Sequence, residues 1–392
     1  MACLAYNGYA SYAYLTSFKE GIFDFAWRPI GRDFINYWSA AVALFDGMIL
    51  PIFDVELFHA YQERLLGHAF AEHNWSYPPH MLLMVWPFGQ LPYLWALAAW
   101  SLLWLAFYLW ASVGWRTDAT ILVLALLLAP ASYINISGGQ NGFLTGALLI
   151  GGLRLLGPKP ILAGICFGLL TVKPQLGILL PFALLASRQW TAIVVASVTA
   201  ALLVGASALL FGWESWQAYA ELVVPHQAVI MNERHGVFLV MMPSAYMALR
   251  LFEVEPLLRI AVQAVFAIVA LAGVAWAFAR SEDCDLKFAI LAVGTFLASP
   301  YSFNYDMTTV SLAVALLVMR GLREGFLPGE RVALSSAWLL PAAIQWLNAN
   351  QLPVGSLVLL ACFGYLLARM RRGLDDAAHG TLRHGYRPVL TS

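Results

Sequence analysis

Apolar residues run along this chain in blocks of helical length, separated by short polar turns, with no sustained two-residue alternation of the kind a half-buried strand shows. The cleanest blocks cover residues 92–114, 119–137, 142–157, 190–211, 256–279, 287–303, 306–319, 333–348 and 354–369. A helix needs about 20 mostly apolar residues to cross a bilayer, since each adds about 1.5 Å across a hydrocarbon core of about 30 Å. Residues 160–187 form another long block, broken at Lys173, Pro174 and Gln175 into halves too short to cross straight. Two short helices meeting at a break are expected there. The pattern predicts an all-α chain with about 11 transmembrane helices.

Composition agrees with that pattern. The 392 residues are 61% hydrophobic and only 11% charged, with a mean hydropathy of +0.72, far too apolar for a domain with a wet surface. The expectation is a single polytopic membrane domain over residues 1–392. The formal net charge is zero, so no basic field argues for nucleic acid, and the partners expected are lipids. Cys3, Cys166, Cys284 and Cys362 lie far apart, which gives neither a redox pair nor a metal cluster.

The turns sort into two chemical kinds that alternate along the chain. One kind carries cations: Arg116, Arg154, Lys159, Arg188, Arg280, Lys287, Arg320, Arg323, Arg331, Arg369, Arg371 and Arg372. The positive-inside rule places these on the cytoplasmic side of a bacterial inner membrane, with residues 370–392 as a cytoplasmic tail. The other kind is rich in carboxylates, amides and aromatics: residues 20–80, "GGQN" at 138–141, the "KPQ" break, a loop at 212–235, "ASPYSFNYD" at 298–306 and "NANQ" at 348–351. These face the periplasm. Within a periplasmic and interfacial segment at 20–91, "VELFHAYQERLL" reads as an amphipathic surface helix, and the run after "YPP" is too short to span and reads as re-entrant. Irregular backbone at membrane depth is tolerated only against protein or a water-filled cavity, so a cavity is implied. Residues 1–18, "MACLAYNGYASYAYLTSF", make a poor spanning helix and lack signal-peptide features; either the first helix is marginal or the true start of the chain lies upstream, and the second is expected.

Several residues stand out chemically. Lys173 lies inside an apolar block, where an ammonium is costly unless paired or facing water; snorkelling to the interface is the plain alternative. Asp33 in "GRDFINYWSAA" precedes the implied cavity, with Asp24, Asp46 and Asp54 as competing acids. Gln140 and Asn141 either form a tight turn or hydrogen-bond a polar ligand. Asp306 is an N-cap candidate. Trp213 and Trp216 suit an interfacial belt, or a loop over the cavity in which Arg234 and His235 bind phosphate. One carboxylate, one intramembrane cation and several amides suit transfer of a sugar from a polyprenyl phosphate. The leaving group is already a phosphate, so a general base and a cation suffice. A transporter or flippase for a lipid-linked or small polar solute is the alternative, although the paired interrupted helices of an inverted repeat are not evident.

In order and spacing, "GRDFINYWSAA", "YPPHMLLMVWPFGQLP", "GGQNGFLTGALLIGG", "AGICFGLLTVKPQLGILLPFALLASRQW" and "LASPYSFNYD" resemble glycosyltransferase family 87 over about residues 30–310. That family comprises polytopic type C glycosyltransferases. The resemblance implies a hexosyltransferase that uses a polyprenyl-phosphate sugar, typically mannose, with a lipid or glycan acceptor. It implies an inverting, metal-independent transfer, without a cofactor, at an outward-facing cavity. Asp33 then corresponds to the general base and Lys173 to a group facing the donor phosphate, joined by Arg234 and His235. Tyr37, Tyr77, Gln140, Asn141, Tyr301 and Asp306 are expected to line the sugar and acceptor site. Mannose-transferring members often carry His beside the late acid, where this chain has Asn304 and Asp306.

Overall fold

A computed structural model describes residues 18–20, 22–24, 28–71, 73–114, 119–232 and 236–378. Among these the chain is helical, apart from a short antiparallel pair of strands, Phe18–Glu20 and Phe23–Asp24. The apolar blocks become helices close to where the sequence puts them. Tyr93–Val113 follows Pro92 and stops at Gly114, and Trp190–Phe211 stops at Gly212; both glycines have positive φ, where a side chain would strain the turn. Pro256 opens Pro256–Arg280, whose first turn the Glu255 carboxylate caps at 3.1 Å from the Leu258 amide. Pro130 breaks its block into Ala119–Leu127 and Pro130–Ser137, bent by 55°.

The environment of these helices is what a lipid solvent requires. Val194, Val198, Leu202 and Leu209 stand outward along Trp190–Phe211, Leu209 with 88% of its surface exposed, a continuous apolar face that water would not tolerate on a monomer. Conversely, Gly142–Leu155 buries every residue from Gly142 through Gly152, as a helix apolar all round does at a protein's centre. Tyr93–Val113 packs along this central helix, Pro160–Leu169 along Trp190–Phe211, and Pro256–Arg280 along Cys284–Ala298.

By length and composition, four helices among the described residues can span a bilayer: Tyr93–Val113, Trp190–Phe211, Pro256–Arg280 and Asn304–Glu324. The bent pair makes a fifth if it crosses as one. Of the other crossings in the expected eleven, Glu330–Ala349 and Gly355–Ala378 are long enough but not apolar enough, and Cys284–Ala298, Gly142–Leu155, Pro160–Val172 and Pro174–Ala186 are each too short to cross alone. The last two are the halves on either side of Lys173. Val55–Leu66 forms the expected amphipathic helix, capped by Asp54. The run after it is a chain of short turns, Pro79–Met81, Leu82–Val85 and Trp86–Gln90. The 212–235 segment is helical as far as Asn232, and the last helix, Gly355–Ala378, extends well into the segment read as a tail. Residues 1–17, on which the reading of the chain start rests, lie outside the described residues.

Candidate functional site

The site is built where four polar turns meet. The first is the turn before Phe34–Phe45. Asp24 is almost wholly buried and binds Arg28 Nε at 2.9 Å and Arg32 Nη1 at 2.8 Å. This draws the arginine of "GRD" back on itself and leaves its neighbour Asp33, among the described residues, without a side-chain partner in its own turn. Asp33 occupies the N-cap position of Phe34–Phe45, yet its side chain caps nothing. Its carboxylate turns to other elements: Gln140 Nε2 donates to Oδ2, and His73 Nε2 lies 3.7 Å from Oδ1. With 27% of its side chain exposed, Asp33 remains open to a ligand.

The competing acids are all occupied structurally. Asp24 holds the two arginines, Asp46 accepts the Tyr61 hydroxyl at 2.7 Å, and Asp54 takes the Glu56 and Leu57 amides at 3.0 Å.

The second turn is 138–142, wedged between its neighbours so tightly that it excludes side chains. Gly139 has a φ of +56°, and a Cβ there would meet Phe34 Cβ at 2.5 Å and the Gly31 carbonyl at 2.8 Å. A Cβ at Gly142 would meet the Tyr305 carbonyl and Asn135 Nδ2, both at 2.3 Å. Asn135 Nδ2 donates to that carbonyl at 3.1 Å, and Thr308 Oγ1 donates to the Gly142 carbonyl at 2.9 Å. Gln140 is thereby fixed against Asp33, and Asn141 is turned inward.

The third and fourth turns are the Lys173 break and residues 298–307. Lys173 Nζ donates to Asp306 Oδ1 at 2.6 Å and to Asn141 Oδ1 at 3.2 Å, and lies 4.8 Å from the centre of the Tyr305 ring. The ammonium does not snorkel; it is 3% exposed and its carboxylate partner is fully buried. Burying two charges is costly unless they are paired and further hydrogen-bonded, and both conditions are met, since Asp306 Oδ2 also accepts the Phe303 amide at 3.3 Å.

A narrow cleft opens between these turns. Of the residues expected at the site, Asp33, Tyr37, Tyr77, Gln140, Lys173 and Tyr301 are on its wall. Tyr37 and Tyr77 share a hydrogen bond between hydroxyls at 2.7 Å. Asn141 and Asp306, expected on the sugar-binding wall, stand behind it instead, because both are spent on holding Lys173. Arg234 and His235 lie outside the described residues. Reasoning from sequence missed Asn36, His73, Asn74 and Gln175, which also line the cleft. Asn36 was within reach, being one turn on from Asp33 on the same helix face. The cluster "EHNWSY" at 72–77 carried the only sign of His73 and Asn74.

The model of one protein family, described as glycosyltransferase family 87, matches residues 75–300, more than half of the chain. The matched region contains Tyr77, Gln140, Asn141 and Lys173, and ends just before Tyr301; Asp33 and His73 precede it. No curated protein and no solved structure gives a match.

Proposed function

The chain belongs to glycosyltransferase family 87 and is a membrane glycosyltransferase, and from that premise we propose that it is a hexosyltransferase with Asp33 as its general base. The donor in this reading is a polyprenyl-phosphate sugar, with mannose as the sugar, and the acceptor is a lipid or glycan hydroxyl. The observation that carries the reading is that Asp33 caps nothing in its own helix, stays partly exposed beside Gln140, and opens into the same cleft as Lys173.

The reaction follows from that juxtaposition. Asp33 takes the proton of the acceptor hydroxyl as its oxygen attacks the anomeric carbon from the face opposite the phosphate. The bond to the phosphate breaks, the configuration inverts, and the polyprenyl phosphate leaves with the bonding pair. Gln140 keeps one carboxylate oxygen occupied and so aims the other at the hydroxyl, which is positioning of the kind that makes a modest base effective. Lys173 supplies a fixed dipole with Asp306, and because that pair is nearly neutral, the net positive charge for the phosphate falls to Arg234 and His235. Tyr37, Tyr77 and Tyr301 offer hydroxyls and ring faces to the sugars.

The cleft faces the periplasm in this account, in a bacterial inner membrane, with the two halves on either side of Lys173 crossing as one broken span. Purified protein should transfer radiolabel from polyprenyl-phosphate mannose into a bacterial lipid extract. Label that stays wholly on the donor, with polyprenyl-phosphate glucose and galactose also inert, would remove the donor class from the reading.

A further inference from the structure

His73 stands beside Asp33 with its protonation fixed on one side. Its Nδ1 lies 2.6 Å from the Ala71 carbonyl oxygen, and a carbonyl only accepts, so Nδ1 carries the proton. Nε2, the ring's other nitrogen, lies 3.7 Å from Asp33 Oδ1. Among the described residues no donor sits between them, and both line the cleft. The ring is held by Phe70, 5.6 Å between centres, so it is not free to swing away. Two polar groups side by side at the edge of a polar cleft suit two hydroxyls of whatever binds there, one for each.

Resting on the reading of Asp33 as base, we propose that His73 determines acceptor specificity: its Nε2 hydrogen-bonds the hydroxyl adjacent to the one that Asp33 deprotonates. The acceptor end of the cleft therefore takes a vicinal diol, one hydroxyl to Asp33 Oδ1 and its neighbour to His73 Nε2. The attacking oxygen loses its proton to Asp33, while the neighbouring hydroxyl keeps its own and serves only to hold the ring in register. A lone hydroxyl, as on a simple alcohol, pairs with one of the two groups and leaves the other without a partner. Sites that hydrogen-bond a substrate hydroxyl discriminate against analogues lacking it for this reason.

The test uses the full-length protein with polyprenyl-phosphate mannose as donor. The acceptors are octyl glucoside, octyl mannoside, their monodeoxy analogues and octanol. Wild type should glycosylate at least one hexoside and lose about tenfold in kcat/KM when the hydroxyl next to the attacked position is removed. His73→Phe, which keeps a ring against Phe70, should lower the rate with the intact hexoside and treat the deoxy analogue equally. His73→Gln, which restores a hydrogen-bonding group, should recover part of the preference. The ratio of two acceptors within one preparation is independent of how much of a variant folds. Equal use of the deoxy analogue by wild type, a preference that survives in His73→Phe, or transfer to octanol or the lipid extract but to no hexoside would each overturn the proposal. Asp33→Asn separates the two readings: full activity there removes the base, whereas loss of activity there with no diol preference in wild type removes only the role of His73.

Discussion

At the scale of the residue, the site turns on how each polar group is satisfied. Gln140 donates to Asp33 Oδ2 from a turn held close to its neighbours at Gly139 and Gly142. A hydrogen bond to an ionised partner contributes about 1.5–3 kcal/mol, so Gln140→Ala should lower kcat by about tenfold or more, with the donor KM little changed; a shift confined to KM would assign Gln140 to binding. Lys173 makes a different prediction. Removing one member of a buried ion pair costs about 3–5 kcal/mol because the other is left uncompensated. Lys173→Met should therefore lower Tm sharply in detergent, and Lys173→Met with Asp306→Asn should recover most of the loss. If Lys173 also serves the donor phosphate, the double variant folds and still transfers poorly; recovery of activity along with stability would make the pair purely structural. Asp33 and Lys173 were legible in the sequence because a charge in an apolar context needs a reason. The pairing of Lys173 with Asp306, 133 positions apart, was not, since helical periodicity gives direction on a helix and no distance between helices. His73 was hidden for another reason: it sits in a polar stretch where a histidine is unremarkable.

At the scale of the element, turns rather than helices carry the precision. The 138–142 turn touches the Asp33 turn through Gly139 and the 304–308 turn through Gly142. Forcing a methyl group against a backbone carbonyl costs about 1–3 kcal/mol and shifts the chain. Gly142→Ala should lower Tm and abolish transfer, while Gly157→Ala, where a Cβ meets nothing within 4 Å, should do neither. Normal activity in Gly142→Ala would show that the wedge is not needed to hold Gln140. The helices themselves were legible because their apolar blocks are long, and the break at Lys173 because Pro174 and a charge coincide. What the blocks did not reveal was which of them cross. Short helices such as Gly142–Leu155 are apolar because the protein buries them, and a buried block and a membrane block look alike in sequence.

At the scale of the molecule, polar groups segregate to two ends. Cys284–Ala298 begins beside the ion pair of Asp283 with Arg320 and ends in the turn that carries Tyr301 and Asp306. Arg369 with Glu330, 2.6 Å apart, belongs to the cationic set of turns. If that set is cytoplasmic, a membrane-impermeant thiol reagent on intact cells should label Asn350→Cys and spare the exposed native Cys284, with the other cysteines replaced by serine. The reverse pattern would turn the cleft to the cytoplasm. The central claim, however, is the chemistry of one carboxylate, and the most direct measurement is single-turnover transfer from polyprenyl-phosphate mannose by Asp33→Asn beside wild type, with donor binding measured on the same preparations. The variant should bind donor as wild type does and form product at least about a hundredfold more slowly, within the usual contribution of a general base. Product formed at the wild-type rate would contradict it.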